Sequence, residues 1–238
     1  YEAKFLTEEA TQTNIRLIGI DRPGMGHSSY KAGRSILDWT GDVIELAHNL
    51  KLERFAVVGF SGGGPYALAC AYKIPDRLTA CGVVSGVGYT GRFLSFLSMW
   101  LPWIILTATK RFFQNKEHAE RLLARVSKGW VEPDKKALSI PGVTEIMALS
   151  LAEAIKQGTK GAAYDGTLIG SRDWGFKLED IKLPNLYLWH GELDKQISLT
   201  AVKTLAKSLN TCKTTYYANE GHISVIVNHG KDILKMLK

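Results

Sequence analysis

A serine hydroxyl becomes a useful nucleophile only when a base takes its proton and an acid fixes the tautomer of that base. The chain carries candidates for all three roles in the order Ser61, Asp194, His222. Ser61 lies in Gly59-Phe60-Ser61-Gly62-Gly63, a match to G-x-S-x-G. That pattern puts a serine on a sharp strand-to-helix turn, with glycines where side chains would collide. Taken alone the match is weak, and a purely structural glycine-rich turn is the competing reading. Its surroundings favour the nucleophile: Arg54-Phe55-Ala56-Val57-Val58 reads as a buried strand before it, and small residues up to Leu68 read as a close-packed helix after it. The N–H of Gly62 then sits at a helix N-terminus, where it can stabilise an oxyanion.

For the base, only His222 and His229 lie downstream of the candidate acids. His222 follows Gly221 at a strand end, where a loop can swing it over Ser61. His229 falls one turn into a helix and reads as a surface residue. For the acid, Asp194 lies just past the strand ending at Trp189, and Glu192 is its nearest rival. His27 and His190 read as loop-shaping residues.

The elements that must position these groups alternate between strand and helix. Phe5–Thr13 reads as a short helix and Ile15–Ile20 as a strand leading into the turn-rich loop Asp21-Arg22-Pro23-Gly24-Met25-Gly26-His27-Ser28. Across Asp38–Leu50, the residues Val43, Leu46, Ala47 and Leu50 mark one buried helix face. Leu78–Val84 reads as another strand after Pro75 and Asp76 stop the helix behind Ser61. Later, Asn185–Trp189 is a strand, Leu199, Val202, Leu205, Ala206 and Leu209 mark a helix face, Lys213–Ala218 is the last strand, and Ile223–Lys238 closes the chain as a helix. Such alternation predicts a mostly parallel α/β sheet with flanking helices.

Between the two halves the rhythm breaks. Gly86-Val87-Gly88-Tyr89-Thr90-Gly91 matches the dinucleotide fingerprint G-x-G-x-x-G, but no second strand and no strand-end acid follow, and Arg111 occupies that region. A flexible glycine-rich exit from the sheet is the reading preferred, and no cofactor is expected. Phe93–Ala108, broken by Pro102, is the most apolar run, yet it falls short of the ~20 residues that span a bilayer. It reads as part of an apolar lid, with lipid contact left open by Lys110 and Arg111 at its end. Glu117–Trp130 and Val143–Gln157 read as helices punctuated by Pro133 and Pro141. Residues 89–180 are therefore expected to form a helical insertion, with residues 1–88 and 181–238 forming the core.

Composition bounds the remaining possibilities. With 238 residues and 45% hydrophobic content, the chain can bury a sizeable core in one large domain. The net charge of +7 comes from scattered lysines rather than a basic run interleaved with aromatics, so a solvated basic surface is expected and nucleic acid is not. Cys70, Cys81 and Cys212 are odd in number and lack metal-ligand spacing. Reduced structural thiols, no metal and a cytoplasmic setting follow as expectations, although a chain that opens at Tyr1 leaves a leader undecided.

Taken together, Asp21–Ser28 (DRPGMGHS), Gly59–Ala69 (GFSGGGPYALA), Leu188–Asp194 (LWHGELD) and Glu220–His222 (EGH) resemble the α/β-hydrolase fold family in order and spacing over nearly the whole chain. The resemblance implies an elbow nucleophile at Ser61, an acid at Asp194, a base at His222, and a helical cap inserted between the sixth and seventh strands of the family's sheet. Serine at the elbow, rather than aspartate, argues against the epoxide-hydrolase and dehalogenase branches. One departure is serious. The strand and loop that supply the family's second oxyanion N–H, and a strand between Ile15–Ile20 and Phe55–Val58, have no counterpart here, so a longer native polypeptide ahead of Tyr1 is expected. The resemblance implies a serine hydrolase acting on a small-molecule apolar carboxylic ester. Alternatives are an aminopeptidase of the proline-iminopeptidase type, with Glu145 or Glu153 receiving an amine, and a non-catalytic binding protein on the same fold.

Overall fold

The computed structural model describes residues 2–87, 116–171 and 173–238. A short 3-10 segment, Glu2–Leu6, leads into α1 (Thr7–Gln12), and α2 spans Trp39–Asn49. Strand β1 (Phe55–Phe60) passes through a turn at Ser61–Gly63 into α3 (Gly64–Lys73), and β2 covers Leu78–Val84. Among the described residues, α4 (Lys116–Val126), α5 (Glu132–Ser139), α6 (Val143–Ala154) and α7 (Lys160–Ile169) follow before the next strand. The chain closes with β3 (Leu186–Gly191), α8 (Leu199–Ser208), β4 (Cys212–Tyr217) and α9 (Ser224–Leu237). Within 88–115 fall Gly88–Gly91 of the glycine pattern and the apolar Phe93–Ala108 run, both outside the described residues.

Among the described residues the four strands form one parallel sheet in the order β1-β2-β3-β4. Parallel neighbours need a crossover, and α3, the α4–α7 segment and α8 supply the three. Alternation along each strand sends side chains to two separate cores. Cys81, Val83, Leu186 and Leu188 meet α2, α3 and α8 through Val43, Leu68, Val202 and Leu205. Ala80, Val84 and Trp189 meet α9 and the N-terminal helix through Val225, Ile233, Leu234, Phe5 and Leu6. Both faces are covered, as a parallel sheet requires.

Helix α3 shows how the sequence builds one layer. Every residue from Gly64 to Ala71 is buried, and most are small, so the helix axis lies close to β1 and β2. Pro65 sits in its first turn, where a missing N–H costs nothing. Helix α9 instead buries one stripe, Val225, Ile226, Ile233, Leu234 and Leu237, and leaves its other face to solvent.

Two expectations are corrected. Ile15–Ile20 is not a strand: it joins no ladder, and Ile18 and Ile20 are exposed. An apolar β-branched run becomes a strand only when a neighbour accepts its backbone hydrogen bonds, and among the described residues none lies alongside it or beside the outer edge of β1. The second concerns Pro133, read above as punctuation. It starts α5 instead, in the first turn of Glu132–Ser139.

The α7 helix is fastened to the core by a buried polar cluster. Asp165 accepts from Arg34 Nη2 at 2.7 Å, pairs with Arg22 Nη2 at 3.0 Å, and accepts the Tyr66 hydroxyl. Arg34 Nη1 also donates to the Tyr66 oxygen at 2.7 Å. Burial and the neighbouring Asp165 charge both push the Tyr66 phenol up, so it stays protonated and donating. Arg34 and Asp165 are each almost fully buried. Replacing Asp165 by Ala strands Arg34 without its counter-charge, which is expected to cost about 3–5 kcal/mol by urea denaturation; a loss under about 1 kcal/mol would show that solvent relieves the guanidinium.

Candidate active site

Every candidate site residue sits at the C-terminal edge of the sheet. Ser61 follows β1, Ser85 follows β2, Asp194 follows β3 and His222 follows β4. Crossovers return each chain to the same starting edge, so four loops from distant sequence positions converge on the other.

The turn after β1 is held in an unfavourable conformation. Ser61 has φ +49°, a left-handed value that side-chain-bearing residues rarely adopt and that costs on the order of 1–3 kcal/mol. The chain can fold back this sharply because residue 59 is glycine: a Cβ there would collide with the carbonyl of Gly63. Gly63 and Gly64 then pass directly into α3. The result raises the Ser61 hydroxyl off the end of the strand, with the Gly62 backbone beginning the helical turn beside it.

His222 Nε2 lies 3.0 Å from Ser61 Oγ, and His222 Nδ1 lies 2.7 Å from Asp194 Oδ2. The other carboxylate oxygen of Asp194 accepts the N–H groups of Gln196 and Ile197 at 2.7 and 2.9 Å. An anionic carboxylate fixed this way forces Nδ1 of His222 to be the protonated nitrogen. That leaves Nε2 with its lone pair towards the serine hydroxyl. Phe60 packs its ring 5.2 Å from the imidazole. Asp194 and His222 are buried, whereas Ser61 is half-buried.

Other sequence candidates fall elsewhere. Glu192 is exposed and contributes its N–H to the Tyr217 carbonyl. His229 stacks on Tyr217 at 3.8 Å and meets Glu220 at 3.1 Å. His27 pairs with Glu153 on the surface. The three cysteines are unpaired, and burial pushes Cys70 and Cys212 up to about 12 and Cys81 well above the usual thiol range, so all three remain neutral thiols. Among the described residues no His, Cys, Asp or Glu cluster is placed to hold a metal ion.

Three contributors were not anticipated from sequence. Ser85 Oγ donates to the His222 carbonyl at 2.9 Å, and the serine itself is fully buried with φ +46°. Asp134, on α5, accepts the N–H of His222 at 2.9 Å. His190 also lies against the site: its Nε2 donates to the Ile197 carbonyl at 3.1 Å, and its Nδ1 sits 3.8 Å from Asp194 Oδ2 without a hydrogen bond. The only sequence signal for any of these was the strand-end position of Ser85 and His190.

The family model described as Alpha/beta hydrolase family matches residues 1–234. The chain belongs to the α/β-hydrolase family. Among solved structures, the enol-lactonase from Burkholderia xenovorans LB400 is 22% identical, with a TM-score of 0.74 over 99% of this chain and 86% of that one. A bromoperoxidase from Bacillus anthracis is 19% identical, with a TM-score of 0.72 over 99% and 86%. A thermophilic esterase from Thermogutta terrifontis is 16% identical, with a TM-score of 0.70 over 99% and 86%. At such identities the likeness concerns the fold. Comparison with curated protein sequences finds no match.

Within this α/β-hydrolase chain, His190 supplies a pH test. Burial lowers its pKa, only partly opposed by the Asp194 charge, so it folds as the neutral ring. In the unfolded chain an imidazole titrates near ~6.5. Below that pH the unfolded state binds the proton first, so stability rises with pH there and is lost as pH falls from about 6.5 towards the lowered folded value. His190→Gln should therefore show a flatter fall in unfolding free energy between about pH 7 and 5 than the native chain, by parallel denaturant titrations. Identical slopes would mean that His190 takes up its proton in the fold as readily as in the unfolded chain.

Proposed function

We propose that this chain is a serine hydrolase that cleaves small or medium apolar carboxylic esters. One observation carries the reading: an unbroken relay from Ser61 Oγ through His222 to Asp194, with links of 3.0 and 2.7 Å, on a strained turn. Ser61 Oγ attacks the carbonyl carbon while His222 Nε2 takes its proton, and Asp194 stabilises the imidazolium that forms. The tetrahedral oxyanion faces the Gly62 N–H at the start of α3. Collapse breaks the carbon–oxygen bond, and His222 returns its proton to the leaving alkoxide. Water then attacks the acyl-enzyme, with His222 again as base, releasing the acid and restoring Ser61.

The helical cap read from the sequence over residues 89–180 carries the apolar Phe93–Ala108 run, whose composition supports greasy substrates. An aminopeptidase needs a free carboxylate for the substrate amine. Glu153 is already engaged by Lys156 at 2.9 Å and His27 at 3.2 Å, which supports the ester reading over that one. The neutral, unpaired thiols support a reducing, cytoplasmic setting.

Turnover on p-nitrophenyl esters of increasing acyl length, beside aminoacyl-anilides, tests the assignment. Ester hydrolysis with covalent labelling of Ser61 by a fluorophosphonate supports it. Anilide-only turnover selects the aminopeptidase, and the absence of both turnover and labelling selects a binding protein. Ser61→Ala should abolish labelling. Replacing His222 by Ala should lower kcat by about 10³-fold or more, whereas His229→Ala should change it less than about threefold. Equal losses from the two histidine variants would overturn the choice of base.

A further inference from the structure

Besides Asp165, one further acid is buried outside the Ser61–His222–Asp194 relay among the described residues: Asp134. It is 2% exposed, and both of its carboxylate oxygens are engaged. Oδ2 accepts the His222 N–H at 2.9 Å, and Oδ1 accepts the N–H groups of Ile223 and Ser224 at 3.0 Å each. No Lys, Arg or His side chain pairs with it among the described residues.

Ser224 N–H opens α9, Ile223 N–H belongs to its cap residue and His222 N–H to the residue before the cap, and none has a partner within the helix. A local Ser, Thr or Asp side chain would ordinarily accept such bonds. Here Ile223 precedes the helix and offers no acceptor, while Ser224 turns its hydroxyl back to accept from the Gly221 N–H at 2.7 Å. The carboxylate comes instead from α5, 88 residues earlier in the chain. Gly221 makes room for it, because a Cβ at that position would overlap both Asp134 oxygens. From the opposite side, Ser85 Oγ holds the His222 carbonyl at 2.9 Å. The peptide unit before His222 Cα is therefore pinned by Asp134, and the unit after it by both Ser85 and Asp134.

We propose that Asp134 is a positioning residue for the His222 base. It sets the height and rotation of the imidazole over Ser61 by anchoring the backbone that carries it. Because α5 belongs to the helical segment between β2 and β3, the seat of that segment and the reach of the base are one mechanical unit. The proposal rests on the serine-hydrolase reading for its kinetic consequence, but its geometric content stands apart from it. A plain helix cap would alter stability alone. A positioning residue alters the chemistry of a folded enzyme.

The test uses the full chain with Asp134→Asn, which keeps the shape and one acceptor oxygen, Asp134→Ala, and Gly221→Ala, which forces the carboxylate aside. Glu132→Gln, on the exposed face of the same helix, serves as control. All are compared below their own melting transitions. Three quantities are read: kcat and KM on the best ester, the rate of Ser61 labelling by a fluorophosphonate, and the NMR resonance of the His222 Nδ1 proton. Misplacement by about 1 Å costs about 100-fold, so Asp134→Ala and Gly221→Ala should lose about that in kcat and labelling rate, and Asp134→Asn about 10-fold. KM should move less than about twofold, since substrate contacts are intact. The ring-proton signal should shift or broaden in all three variants and remain unchanged in the control. Folded Asp134→Asn with native kcat, labelling and resonance would overturn the proposal. Failure of both Asp134 variants to fold would overturn it in favour of a purely structural cap. If the native chain itself neither turns over nor labels, the hydrolase reading falls, and the His222 resonance alone decides the role of Asp134.

Discussion

Parallel pairing in one direction is the constraint on which everything else in this molecule depends. Because β1 to β4 all run the same way, their C-terminal ends share an edge, and each following loop begins within reach of the next. Gly191 pairs with Tyr217 at the end of β3 and β4, which brings the loops bearing Asp194 and His222 side by side. The pairing of Phe60 with Val84 does the same for the loops bearing Ser61 and Ser85. An antiparallel arrangement of any one strand would carry its loop to the opposite edge. The Asp194–His222–Ser61 contacts are thus consequences of register before they are consequences of side-chain chemistry.

Against that regular frame, the site concentrates the costly features. Ser61 and Ser85 both hold left-handed backbone angles, and both lie at strand exits facing His222. Asp194, Asp134 and His190 are polar groups removed from water. Each carboxylate is compensated by backbone N–H groups, two for Asp194 and three for Asp134. Charge-assisted bonds of this kind offset desolvation and leave little rotational freedom. Hydrophobic packing of α3 and α9 against the two sheet faces supplies the stability that such strain draws on.

The structural neighbours show why fold and activity are argued separately. An enol-lactonase, an esterase and a bromoperoxidase share this architecture at 22%, 16% and 19% identity. What they hold in common is the layered sheet; what each does is set by the loops and by the segment between strands. For this chain, the proposed reaction class is therefore argued from the Ser61–His222–Asp194 contacts rather than from the fold.

Much of the fold was legible in the sequence. Apolar β-branched runs at Phe55–Val58, Leu78–Val84 and Asn185–Trp189, and the helical stripes behind them, are local patterns that pointed to a parallel α/β sheet. The chemical types at Ser61, Asp194 and His222, and their order, were legible for the same reason: strand-end loops rich in glycine advertise themselves. What stayed hidden was non-local. Ile15–Ile20 carries the apolar pattern of a strand, but a strand exists only through a partner's hydrogen bonds, and no local pattern reveals that partner. Arg34 and Asp165 meet across 131 positions, and Asp134 meets His222 across 88, so their spacing carries no period that a sequence can display. In sequence Asp134 is one charge beside Pro133, in a stretch that reads as a break between two helices. Only the packing of α5 against the start of α9 turns it into the acceptor of three backbone hydrogen bonds, because burial, not residue type, decides which acids must find partners.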